Sequence, residues 1–153
     1  MKLNLGCGYN HVPGYTNIDN RPETKPNVLW DVTLGLPYRN EKVDEVRAYD
    51  FLEHIPIGKV IGLIEEIWRV LKVGGIFESR TPSTDGRGAF QDPTHVSFWN
   101  QNSWLYYSEP RLRELYGIKA NFEIVEIRDE EVEMLLPQTI CVVIETYVIA
   151  RKR

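Results

Sequence analysis

The sequence predicts an α/β protein built on an open, mostly parallel sheet with an antiparallel last strand. Three observations carry this. Short apolar strands in the first half end in glycine or aspartate. One segment, residues 59–72, carries apolar residues at helical spacing. Two long apolar strands then close the chain, with no room for a helix between them.

Residues 2–5 alternate into a glycine-rich stop at Gly6-Cys7-Gly8, which reads as a strand and a tight loop. Residues 15–19, 28–32 and 44–49 read as three further strands, with 28–32 bounded by Pro26 and by Gly35-Leu36-Pro37. In 59–72, Val60, Leu63, Ile64, Ile67, Trp68 and Leu71 recur at three-and-four spacing, with Glu65, Glu66 and Arg69 opposite. Gly74-Gly75 is placed to cap that helix. A fifth strand follows at 76–79, then a broken helical stretch over 102–107 and 110–115. Residues 122–128 and 139–150 are the closing strands. The run through Val142, Val143, Ile144, Val148 and Ile149 suits a strand buried on both faces.

A chain of 153 residues fits one domain, 1–153, and 42% hydrophobic residues argue against disorder. The longest apolar runs are far too short to span a bilayer, and the first residues read as a strand rather than a signal peptide. Cys7 and Cys141 stand far apart in the chain and suggest no disulfide framework, which points to a cytoplasmic setting. A net charge of −4 weighs against bulk nucleic acid. The one basic cluster, Arg151-Lys152-Arg153, reads as a frayed, solvated tail.

Three successive strand ends carry chemistry. Gly6 and Gly8 make either an ordinary turn or a place where a ligand meets bare backbone. A dinucleotide fingerprint needs glycine where His11 stands, and no helix pattern follows the loop. A nicotinamide oxidoreductase is therefore disfavoured, and the loop suits a nucleoside without phosphates. Asp19 closes the second strand, where an acid can accept from both ribose hydroxyls. Asp31 closes the third and can accept from an adenine amino group. Either acid alone is as readily a turn former.

Leu3-Asn4-Leu5-Gly6-Cys7-Gly8 resembles the first motif of class I S-adenosylmethionine-dependent methyltransferases, and Gly14-Tyr15-Thr16-Asn17-Ile18-Asp19 the second motif of a compact, type 11-like subgroup. Asp44-Glu45-Val46 with Leu52-Glu53-His54-Ile55 is similar to the fourth-strand region, and Arg69-Val70-Leu71-Lys72-Val73-Gly74-Gly75 to the helix-to-strand-five signature. The resemblance implies a Rossmann-like fold and S-adenosylmethionine as methyl donor. It implies that Gly6 and Gly8 meet the methionine part, that Asp19 holds the ribose, and that Asn4, Cys7 and Asn20 are further cofactor contacts. Asp31 and Val32 flank the adenine, and the backbone near Ala48 and Tyr49 lines the amino-acid end. Several of the family's helices are reduced or missing here. Only ten residues separate Gly8 from Asp19, and the next two links are short and proline-rich. One sheet face would lose its cover. Leu3, Leu5, Val28 and Trp30 should point there, and a homodimer through that face would bury them, unless residues 9–14 and 21–27 drape across it.

The loop after the fifth strand contains His95, the best general-base candidate by its ordinary pKa. Trp99, with Trp104, Tyr106 and Tyr107, can wall an acceptor or belong to the core. Asp50, Glu53 and His54 form Asp-x-x-Glu-His. Asp50 is a second catalytic candidate and His54 an acceptor contact. With His95 the three also make an acceptable donor set for a divalent cation, one that a metal-free protein can equally carry. The expected activity is methyl transfer to a small-molecule, sugar or protein acceptor. The alternative is an S-adenosylmethionine-binding subunit that has lost catalysis.

Overall fold

The computed structural model describes residues 1–136 and 139–153, with the side chains of 134–141, Cys141 among them, outside that description. The strands are β1 (Lys2–Leu5), β2 (Thr16–Asp19), β3 (Val28–Leu29), β4 (Val43–Tyr49), β5 (Leu71–Pro82), β6 (Phe122–Leu136) and β7 (Thr139–Lys152). The helices are α1 (Ile57–Val70), α2 (Gly88–Gln91), α3 (Leu105–Ser108) and α4 (Pro110–Tyr116). All seven strands join one sheet in the order β3-β2-β1-β4-β5-β7-β6. Pairing is parallel from β3 to β5, while β7 runs antiparallel to both its neighbours, as expected. No helix among the described residues is long and apolar enough to cross a membrane.

The links from β1 to β2, β2 to β3 and β3 to β4 hold no α-helix. The second and third contain only single 3-10 turns, Pro22–Thr24 and Val32–Leu34. Strand alternation decides how the sheet tolerates this. Leu3, Leu5, Val46, Ala48 and Phe77 share one face, and all are fully buried in the core with Leu63, Ile64 and Ile67 of α1. In register beside them, Lys2, Asn4, Glu45, Arg47, Tyr49, Glu78, Arg80, Tyr147 and Arg128 point the other way. This corrects the expectation for Leu3 and Leu5, which lie under α1. The face away from α1 is mainly polar, although Leu29, Ile76 and Ile149 share it. Its charges pair across strands: Lys2 with Glu45 at 2.6 Å, Arg151 with Glu123 at 3.3 Å, Arg80 with Glu145 at 2.9 Å. The Arg47 guanidinium lies 3.7 Å from the Tyr49 ring centroid, and Arg128 4.1 Å from that of Tyr147.

Amides fasten the loop that replaces the first missing helix. The Asn17 Oδ1 accepts from Asn4 Nδ2 at 2.9 Å and from the Val12 N–H at 2.8 Å. Asn27 Oδ1 accepts from the Asn17 backbone N–H and from its Nδ2, at 2.9 and 3.0 Å. Asn4 Nδ2 also donates to the Asn10 carbonyl at 3.1 Å. The cover over this end of the sheet is thus hydrogen-bonded rather than apolar, and Tyr9 is left exposed.

Two further expectations are corrected. Helix α1 stops at Val70, two residues early, because Leu71 is drawn into the β4 ladder opposite Val43 and is fully buried. Gly74, at φ +80°, instead serves a bulge inside β5, where a Cβ on Gly75 would press on the Lys72 carbonyl at 2.9 Å. The basic cluster is no frayed tail either. Lys152 belongs to β7 and is buried. Its Nζ donates to the Leu71 carbonyl at 2.9 Å, pairs with Glu41 at 3.3 Å and lies 4.4 Å from the Trp68 ring centroid.

Asn17→Ala should lower stability to urea by about 2–3 kcal/mol, since it strands several buried partners. Asn102→Ala, at an exposed position, should stay within roughly 0.5 kcal/mol of wild type. Equal effects of the two variants would refute the fastening role of Asn17.

Candidate functional site

The strand order reverses between β1 and β4, and a crevice opens beyond their carboxyl ends, the usual place for a ligand in an open α/β sheet. The cavity there has a volume of about 540 Å³. Gly6 lines it at the end of β1, and Asp19 with Asn20 at the end of β2. Trp30, Asp31 and Val32 follow β3, while Asp50, Phe51 and His54 follow β4.

Each strand end is fixed locally. The Asp19 carboxylate is buried and accepts from the Gly8 N–H at 2.8 Å and the Arg21 N–H at 2.9 Å, which binds the glycine loop to β2. Asp31 caps the following 3-10 turn by accepting from the Thr33 N–H at 2.9 Å. The Trp30 indole donates to the Gly35 carbonyl at 2.7 Å, which orients its ring on the cavity wall. Gly6 has φ +60°, and the Phe51 ring rests directly on it: a Cβ added at Gly6 would fall within that ring. Neither Trp30 nor Phe51 was expected in the site.

Other expected cofactor contacts lie off the cavity wall. Asn4 serves the amide network, Cys7 is buried, and Gly8 acts through its N–H on Asp19. Tyr49 falls on the polar sheet face because it alternates with Ala48. Its hydroxyl donates to Glu78 at 3.3 Å, and burial raises its pKa. Trp99 lines a separate, largely apolar cavity of about 300 Å³ between the start of α1, the loop before α3, and α4.

The loop after β4 turns at Asp50, whose φ of +50° is uncommon for a residue with a side chain. Asp50 is ion-paired with Arg80, which also pairs with Glu145. Glu53 lies beneath, only 2% exposed, and its Oε2 has no hydrogen-bond partner among the described residues. Burial pushes its pKa up to about 8. Asp50 and Glu145 add to that push, while the Glu53 backbone N–H and Arg80 oppose it. The Glu53 carbonyl accepts from the Val96 and Ser97 N–H groups at 2.8 and 3.0 Å, so the loop carrying His95 is tied to the loop after β4. His54 and His95 meet edge to face with ring centroids 5.0 Å apart. One donor atom from each of Glu53, His54 and His95 lies within 4.8 Å of the others.

No protein-family model matches the sequence, and neither does any curated protein. Solved structures do. An S-adenosylmethionine-dependent methyltransferase from Archaeoglobus fulgidus is 16% identical and superposes with a TM-score of 0.74, over 99% of this chain and 85% of that one. One from Methanosarcina mazei is 18% identical, with a TM-score of 0.68 over 99% and 91%. The [4+2]-cyclase SpnF, 18% identical, matches at 0.66 over 99% and 73%. The chain therefore has the class I S-adenosylmethionine-dependent methyltransferase fold, which also carries other chemistry.

A carboxyl whose folded pKa lies above its unfolded one keeps its proton in the folded state while the unfolded chain releases it. Its contribution to stability is therefore lost as pH rises from the ordinary carboxyl range through about 8. In chelator-treated protein, unfolding free energy should fall between about pH 5 and about pH 8, by up to roughly 1.4 kcal/mol per pH unit. Glu53→Gln should flatten that fall. Superimposable pH profiles for the two proteins would show that Glu53 does not titrate this way.

Proposed function

We propose that the chain transfers a methyl group from S-adenosylmethionine to a small-molecule, sugar or protein acceptor. The observation that carries this reading is the cavity at the β1/β4 switch point, with Gly6, Asp19 and Asp31 at successive strand ends. The donor set fits the group. In this reading the Asp19 and Asp31 carboxylates offer acceptors for ribose hydroxyls and an adenine amino group, and the Trp30 ring lines the same cavity. The loop after Gly8 leads into no helix, so nothing there favours a pyrophosphate.

When bound, S-adenosylmethionine supplies an electrophilic methyl group on a positively charged sulfur, which leaves as S-adenosylhomocysteine. Asp19 and Asn20 hold the ribose in this reading, Asp31 and Val32 the adenine, and Gly6 the methionine part. The protein's main contribution is in-line positioning. An oxygen or nitrogen acceptor also gives up a proton, for which His95 and Asp50 are the candidate acceptors. His54 and Trp99 are the candidate acceptor contacts. The paucity of cysteine suits a cytoplasmic protein. The missing helices favour a second reading, a binding subunit without turnover, in which S-adenosylmethionine binds but no acceptor is methylated.

Calorimetry should detect S-adenosylmethionine and S-adenosylhomocysteine but not NAD. Asp19→Ala should weaken binding at least tenfold through lost charge-assisted hydrogen bonds. Binding of neither ligand would end the proposal, and undiminished affinity in the variant would end the role of Asp19. Release of S-adenosylhomocysteine over an acceptor panel separates the enzyme from the silent subunit.

A further inference from the structure

Hydrogen bonding fixes where the ring protons of His54 and His95 sit. The Thr94 hydroxyl donates to Asp92 Oδ1 at 2.7 Å, so it turns only lone pairs toward His54 Nδ1, 3.2 Å away. The Thr94 carbonyl, 3.3 Å from the same nitrogen, is also an acceptor. His54 Nδ1 therefore carries the proton and its Nε2 a lone pair. His95 Nδ1 faces the Ala89 carbonyl at 3.1 Å, which places the proton of the neutral ring there and again leaves a lone pair on Nε2. Metal-binding imidazoles are held in this way, with the other ring nitrogen donating to a backbone or carboxylate oxygen.

One oxygen of the carboxylate between them lacks a hydrogen-bond partner among the described residues. Glu53 Oε1 lies 4.0 Å from His54 Nε2, and Oε2 is buried with no donor among the described residues. A buried oxygen in that state costs free energy that a cation would recover. We propose that Glu53, His54 and His95 bind a divalent transition-metal ion through one carboxylate oxygen and the two Nε2 atoms.

Two imidazoles and one carboxylate suit zinc and similar late first-row ions, whereas magnesium and calcium prefer oxygen alone. Bonds of about 2.0 Å put tetrahedral ligand atoms roughly 3.3 Å apart. The present spread of up to 4.8 Å closes by small side-chain movements, for which the His54 ring, with 38% of its side chain exposed, has room. Three protein ligands leave a coordination position open. Asp50, which the spacing of Asp-x-x-Glu-His groups with these residues, is engaged by Arg80 and stays out of the set. His95 Nε2 also lies 3.8 Å from Asp92 Oδ2, so the competing state is a protonated His95 paired with Asp92. An ion held by Glu53, His54 and His95 would take up the His95 lone pair, leaving Asp50 as the proton acceptor in methyl transfer. It would also lock the loop bearing His95 onto the loop after β4.

The test uses the tag-free, chelator-treated chain of residues 1–153 and needs no methyl donor, so it stands apart from the test of methyl transfer. Zinc titrated by calorimetry should bind at one equivalent, and cobalt should give visible absorption of nitrogen- and oxygen-ligated metal. Glu53→Gln, His54→Ala and His95→Ala should each weaken zinc at least tenfold, while Asp50→Asn should not. Circular dichroism checks that each variant is folded. His54 is at the surface, so its variant decides the matter if a buried-site variant misfolds. No zinc binding by wild type, or full affinity in a folded His54→Ala, would overturn the site. A loss in Asp50→Asn as large as in Glu53→Gln would overturn the three-residue set.

Discussion

Everything in this molecule depends on how β1, β4 and β5 divide their residues between two faces. Leu3, Leu5, Val46, Ala48 and Phe77 go to the side that α1 covers. Lys2, Glu45, Arg47, Glu78 and Arg80 go to the side away from α1. A sheet with apolar residues on both faces would need a second helical layer or a partner chain. Here the second face is wetted and paired within itself, so the links after β1, β2 and β3 are free to be short. Short links in turn bring the loops after β2, β3 and β4 close around one crevice. The asparagines that secure the loop over β1 and β2 complete the substitution of amides for a helix.

Much of this was legible in the sequence. Strand positions, the amphipathic helix and the reversal of the last strand follow from alternation, spacing and the short final connection. The sidedness of β1 was also legible, since Lys2 and Asn4 interleave with Leu3 and Leu5. It was misread because the absence of helices suggested an apolar face left bare. The end of α1 was obscured for a different reason. Gly74-Gly75 is a strong local signal, yet the buried pairing of Leu71 with Val43 outweighs it. Lys152 shows the limit of reading by composition: a cation among cations at a chain end looks solvated until Trp68, Glu41 and the Leu71 carbonyl surround it.

The site was legible where it rests on strand ends and illegible where it rests on distant pairs. Gly6, Asp19 and Asp31 come at positions where the chain leaves the sheet, so pattern alone puts them at one edge. The Tyr49 side chain leaves the cavity edge by a single step of alternation. Nothing local announces that Asp50 belongs to Arg80, or that the Phe51 ring sits on Gly6, because each partner comes from another strand. The fold, shared with both methyltransferases and a cyclase, leaves the chemistry to these local arrangements.

The contact of Gly6 with Phe51 has a bearing on descent. While an aromatic ring occupies position 51, no side chain fits at position 6, and the left-handed backbone there penalises one in any case. The two sites are therefore not free to drift separately. Lineages that keep glycine can vary the ring in size, but a lineage that loses the glycine must first shrink residue 51. Among descendants of this chain, substitutions at 6 and 51 should accordingly arrive in that order, with the change at 51 as the permissive step.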